Sequence, residues 1–142
     1  MIGKFPAKLD DKNRLIVPSR LREQLGDTFY VTVGVNCGHR CLTVYTADRW
    51  RDMEQRYDSL SVSEKASPTS VLFICATECV PDKQFRFSLT PSLMHYAGIS
   101  REVLIVGRAG QAEIWDAGEY DTFERDALTP EKLLASLEAI GL

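Results

Sequence analysis

Two short strings in this chain carry distinctive chemistry. Asp10-Asp11-Lys12-Asn13-Arg14 and Asp82-Lys83-Gln84-Phe85-Arg86 each set a carboxylate four residues before a guanidinium. Asp captures nearby backbone N–H groups and Asn tolerates positive φ, so Asp10 to Asn13 reads as a tight turn between two strands. An arginine delivered just past such a turn suits the major groove of duplex DNA. A two-stranded ribbon fits there, and Arg bonds guanine O6 and N7 in bidentate fashion. Lys12, at the tip, is positioned to meet phosphate. The Asp cannot usefully face phosphate; it holds the turn and orients the Arg. One such turn would be a plain hairpin with a weak surface ion pair. Two in matching positions point to a working motif.

Other reactive residues form weaker patterns. Cys37-x-His39-x-Cys41 and Cys75-x-x-x-Cys79 contain metal-ligating types, but the spacing departs from C-x2-C, and no structural metal is expected. His39 and His95 read as a loop residue and a helix residue rather than catalytic bases. No phosphate loop, G-x-S-x-G elbow or H-E-x-x-H occurs. The expectation is a chain with no catalytic residues, no metal, no cofactor and no small-molecule substrate.

The elements that must carry the two turns repeat. Pro18-Ser19 returns as Pro91-Ser92, and Val31-Thr32-Val33-Gly34 as Leu104-Ile105-Val106-Gly107, both 73 residues on. Val44-Tyr45 returns as Ile114-Trp115 and Trp50 as Tyr120, both 70 residues on. The chain therefore reads as two copies of one α+β unit. Each has a strand, the turn, a strand with Leu15 and Val17 on one face, a short helix ended by glycine, two further strands and a helix. The expected boundaries are 1–62 for the first half, 63–75 for a polar linker containing Pro68, 76–127 for the second half, and 128–142 for a terminal helix. That helix starts at Thr129-Pro130-Glu131 and has Leu133, Leu134, Leu137 and Ile140 as its apolar face.

Net charge is −3 over 142 residues, which alone argues little for a polyanion partner. The distribution is uneven. Residues 1–22 hold six Lys and Arg against two Asp, whereas residues 113–142 hold eight acids against two cations. On charge alone this suits equally a polyanion docked on the first segment and oriented by the second, or a dipolar soluble protein with no polyanion partner. Hydrophobic residues at 44% and charged residues at 26% describe an ordinary globular chain, not a disordered one. The N-terminus lacks the apolar run of a signal peptide, so a cytoplasmic location with reduced thiols and no membrane partner is expected.

The stretch Leu9 to Pro18, Cys41 to Tyr45, Ala76 to Cys79, Tyr96 to Gly107 and Glu113 to Asp116 resembles the MraZ family, over about Gly3 to Asp126. The resemblance implies a swapped-hairpin β-barrel of the AbrB type, built as a tandem pseudo-symmetric repeat with flanking helices. It implies a nucleoid-associated transcriptional regulator, expected to be a repressor, that binds double-stranded promoter repeats ahead of the division and cell-wall gene cluster, its own gene included. It also implies a homo-oligomer, a ring of protomers. An antitoxin-like binding module of the same fold is the alternative. Two halves on one chain and a short tail after Asp126 count against it.

The residues expected to meet DNA are Lys8, Lys12, Asn13, Arg14, Arg20, Arg22, Lys83 and Arg86, with Asp10 and Asp82 holding the turns. The sequence departs from the family where Gly usually precedes each motif Arg. Asn13 is a mild replacement, but a bulky Phe85 is costly at positive φ. The second turn is therefore expected to be reshaped. Leu93 and His95, aligned with Arg20 and Arg22, make its basic surroundings poorer. Arg14→Ala is expected to abolish binding and Arg86→Ala to weaken it less.

Overall fold

Alternation of buried and exposed residues sets the strands, and most of them pair outside their own half. The computed structural model describes residues 1–66 and 68–142; Ser67, in the expected linker, lies outside them. The first half comprises β1 (Ile2–Lys8), β2 (Arg14–Ile16), a 3-10 turn at Ser19–Leu21, α1 (Arg22–Leu25), β3 (Phe29–Asn36), β4 (His39–Thr46) and α2 (Ala47–Asp58). Then come α3 (Val62–Lys65) and α4 (Thr69–Ile74). The second half repeats the plan with β5 (Thr77–Cys79), β6 (Arg86–Ser88), α5 (Pro91–Ala97), β7 (Glu102–Arg108), β8 (Gln111–Asp116) and α6 (Ala117–Ala127), followed by α7 (Pro130–Ala139).

The six-stranded antiparallel sheet runs β1-β7-β8-β4-β3-β5, and β2 pairs with β6 in a separate ribbon. Each half thus lends its first strand to the other: β1 lies on β7, and β5 lies on β3. The halves meet again where Thr43 faces Glu113 and where Leu15 faces Phe87. The sheet ends on β1 and β5, which are its two edges. The hydrogen-bonded ladders therefore form an open sheet with a ribbon beside it, not the closed barrel that the resemblance led us to expect. Pro6, which has no N–H, sits on edge strand β1, a position where proline is tolerated and further strand pairing is discouraged.

One apolar core serves both halves. Leu15, Val17, Leu21, Leu25, Phe29 and Val31 bury together with Phe87, Leu89, Leu93, Ala97, Val103 and Ile105. Phe29 meets Phe87 edge-to-face at 5.1 Å between centroids. Burial corrects the repeat alignment. Leu21, Leu25 and Gly26 match Leu93, Ala97 and Gly98, 72 residues on: the first two of each set are buried, and both glycines take positive φ. Ser92 and Met94, not Leu93 and His95, therefore stand where Arg20 and Arg22 stand. In β3 and β7 the buried positions Phe29 and Val31 match Val103 and Ile105, an offset of 74 rather than 73. String similarity is blind to a one-residue slip in a strand, but such a slip would turn every side chain to the wrong face.

The flanking helices start at side-chain caps. Thr46 and Asp116 accept hydrogen bonds from the N–H groups of Arg49 and Glu119, as capping residues do. Trp50 of α2 stacks on Tyr30 at 5.0 Å. The expected linker is largely helical, and it is tied to the sheet by Thr32 Oγ1 donating to the Leu72 carbonyl at 2.5 Å. No helix among the described residues is long and apolar enough to cross a membrane.

Candidate nucleic-acid interface

The Asp10 side chain builds the first turn. Its Oδ1 accepts from the backbone N–H of Lys12 at 2.9 Å and of Arg14 at 2.8 Å, and its Oδ2 accepts from Arg14 Nε at 2.7 Å. Backbone bonds from Asn13 N to Asp10 O and from Asp10 N to Arg14 O close the loop, each at 3.0 Å. Asn13 takes φ 57°. Desolvation pushes the Asp10 carboxyl upward, but the hydrogen bonds from Arg14 and Lys12 prevail and hold it below its ordinary range.

The second turn repeats this arrangement atom for atom. Asp82 Oδ1 accepts from the N–H groups of Gln84 and Arg86, both at 2.9 Å, and Oδ2 from Arg86 Nε at 2.8 Å. Phe85 N donates to Asp82 O at 2.9 Å, and Phe85 takes φ 63°. The Arg86 N–H chiefly holds the Asp82 carboxyl low. The expected reshaping therefore does not occur. The carboxylate network forms around Phe85 as it does around Asn13, and Phe85 takes the left-handed conformation that the turn requires.

The ribbon unites the two turns. Arg14 lies opposite Ser88, and Arg86 opposite Ile16. Side chains two apart on a strand, and those directly opposite, share a face. Arg14, Ile16, Arg86 and Ser88 thus occupy the outer face, with Ile16 54% exposed, while Leu15 and Phe87 point into the core. The arginines are diagonal neighbours, with Cα atoms about 7–8 Å apart. In each, Nε is spent on the carboxylate; the terminal nitrogens enter no hydrogen bond found among the described residues.

The remaining candidates fall in different places. Lys12 is an exposed tip residue. Its structural equivalent is Gln84, a tip position that sequence reasoning overlooked although the 72-residue offset pointed to it. Lys83 is exposed in the second tip, at the position Asp11 holds in the first, so each tip carries one lysine. Lys8 ends β1 and lies 3.8 Å from Glu102. Arg20 is exposed and lines a shallow cavity with Met1, Ile2, Leu21 and Gln24. Arg22 donates from Nε to the Val17 carbonyl at 3.0 Å and stacks its guanidinium 3.7 Å from the centre of the Phe85 ring. Lys4 pairs with Glu124 of α6 at 2.5 Å, so the basic and acidic segments touch.

The cysteines do not share a site. Cys37 is exposed in the β3–β4 turn, Cys41 is buried in β4, Cys75 follows α4, and Cys79 is buried on edge strand β5. Burial pushes the Cys41 and Cys79 thiols up to about 12, with Glu113 and Glu78 respectively adding to the effect. His39 pairs through Nδ1 with Glu119 at 2.7 Å and lies against Trp115 and Phe123.

A family model described as "MraZ protein, putative antitoxin-like" matches residues 2–70 and 72–134. The chain belongs to the MraZ family. A relative named Transcriptional regulator MraZ from Desulforamulus reducens is 40% identical over 128 residues, covering 89% of this chain and 88% of the relative. Proteins of the same name from Halothermothrix orenii and Alkaliphilus metalliredigens are 35% and 33% identical, with 99% of each chain covered. These MraZ relatives are named as regulators rather than enzymes, and both matched segments of the family model include one of the two turns.

Proposed function

We propose that this chain is a sequence-specific DNA-binding regulator of transcription, acting as a repressor, whose reading surface is the outer face of the β2–β6 ribbon. One observation carries the reading: two carboxylate-locked turns deliver Arg14 and Arg86 to one face, with terminal guanidinium nitrogens uncommitted. Their spacing matches about two base-pair steps, and a ribbon of this width enters a major groove. Lys12 and Lys83 contact phosphate on either side, whereas Arg14 and Arg86 read bases.

The MraZ relationship supports promoter repeats ahead of the division and cell-wall genes, including the chain's own, as the target. The strand exchange supports a swapped-hairpin fold of AbrB type, with halves at 1–62 and 76–127 joined by 63–75 and followed by a helix at 128–142. One ribbon per protomer makes few phosphate contacts, so a closed ring engaging several repeats gains affinity through effective concentration. Such a protein resides on the nucleoid.

The test is a mobility shift on the DNA directly upstream of the chain's own coding region, across a salt series. A shift that sharpens with repeat number is expected, and absence of any shift at low salt overturns the reading. The family description favours one second reading, an antitoxin-like module. A protein bound in place of DNA would reveal it.

A further inference from the structure

Phe85 is the only aromatic residue in either turn, and it holds a conformation that bulky side chains avoid. Its equivalent, Asn13, suits that conformation. The repeat departs from symmetry at a second position as well. Arg22 of the first half corresponds to Met94 of the second. These two departures meet in space: Arg22 lies over the Phe85 ring at 3.7 Å and is fixed there by its Nε bond to the Val17 carbonyl. Val17 in turn donates its N–H to the Phe85 carbonyl at 2.8 Å. The guanidinium, Val17 and Phe85 close a cycle between the two halves.

We infer that Arg22 is a positioning residue for the second turn, a clamp that keeps Phe85 left-handed and so keeps Arg86 aimed at the groove, and not a contact to phosphate. This rests on the DNA-binding reading above. Arg22 is half-buried while Phe85 is 43% exposed, so the stack is partly open to water, and the Nε bond to the Val17 carbonyl is what fixes the guanidinium over the ring. The strain at Phe85 is then offset by a partner that only the other half can supply, so the second turn takes its shape when the two halves have docked.

The experiment uses the full chain as wild type, Arg22→Ala, Arg22→Lys, Phe85→Gly and Arg22→Ala/Phe85→Gly, with circular dichroism as the folding control. Without DNA, amide hydrogen exchange is followed at Phe85 and Arg86, whose N–H groups bond to Asp82, and at Asn13 and Arg14 as internal reference. Arg22→Ala should speed exchange at the second turn by about tenfold and leave the first unchanged. Arg22→Lys, which keeps charge but loses the planar stack, should behave the same way. Glycine needs no clamp at φ 63°, so in the Phe85→Gly background removal of Arg22 should have no effect.

With upstream DNA, Arg22→Ala should weaken binding about tenfold only when Phe85 is present, with an unchanged salt slope. Equal losses in both backgrounds, with the slope falling by about one, would make Arg22 a phosphate contact and overturn the clamp. So would unchanged exchange at Phe85 and Arg86. If wild type binds no DNA, the functional reading fails, while the exchange measurement still decides the clamp.

Discussion

At the scale of single residues, the two arginines are closer to equivalent than their surroundings in sequence suggest. Both turns have the same hydrogen bonds, and each tip carries one lysine. Phe85 does not distort the second turn, and of the extra cations near Arg14, Arg22 lies on the Phe85 ring while exposed Lys8 is only weakly screened by Glu102 at 3.8 Å. Arg14→Ala and Arg86→Ala are therefore expected to cost similar amounts, about 1–3 kcal/mol per contact, and to relax sequence preference. Isotherms on operator and scrambled duplexes measure this; a loss confined to Arg14 would restore the asymmetric view. Acid titration probes the same turns. Asp10 and Asp82 titrate below the ordinary 3.8 in the folded chain. They add stability above that pH and lose it as pH falls through their lower folded values. Carboxyl carbon shifts followed by NMR should give midpoints below 3.8 for both. In contrast, burial keeps Cys41 and Cys79 protonated. Maleimide at about pH 8 should label exposed Cys37 and spare those two until the chain unfolds.

At the scale of elements, the exchanged strand β1 depends on how closely it approaches β7. Gly107 lies opposite Gly3, and a Cβ built on Gly107 would come within 2.5 Å of Ile2 N and 2.7 Å of Ile2 Cα. Backbone cannot yield as a side-chain tip can. Gly107→Ala should destabilise the chain by about 1–3 kcal/mol and loosen the start of β1. Gly34, on β3, offers the comparison: there an added Cβ meets chiefly the Thr43 hydroxyl at 2.2 Å, with Thr43 N next at 3.2 Å. A rotating Thr side chain relieves part of that clash. Urea unfolding of both variants is the check, with the larger loss at Gly107.

At the scale of the whole molecule, the exchange of β1 and β5 makes the halves interdependent. Residues 1–62 alone would leave β1 without β7 and Leu15 without Phe87. The fragments 1–62 and 76–142 are expected to be poorly structured or self-associated when separate, and to recover strand signal when mixed. Far-UV circular dichroism of the mixture against the sum of its parts tests this. The whole chain is expected to run above monomer mass in light scattering. Its α7 carries Leu133, Leu134 and Leu137 on a helix exposed along its length, and its open sheet has two edges.

The order of elements, the two-fold repeat and the Asp-x-x-x-Arg turns were legible in the sequence because they depend on local rules. Leu15 and Val17 alternate with Arg14 and Ile16, Gly26 and Gly98 end short helices, and Asp10 captures N–H groups only two and four residues away. The pairings between halves were not legible, since β1 and β7 are about a hundred residues apart and such pairing leaves no local mark, unlike the hairpin of β3 and β4. The shape of the second turn was misjudged for a related reason. Local sterics weighed against Phe85 at positive φ, yet the Asp82 carboxylate makes the same bonds as Asp10, and the Arg22 guanidinium that lies over the Phe85 ring comes from the other half, a contact that leaves no local mark in the sequence. Tertiary structure alone decided that Arg14 and Arg86 share one face, because that depends on the register in which Leu15 meets Phe87 and on the common core that holds both.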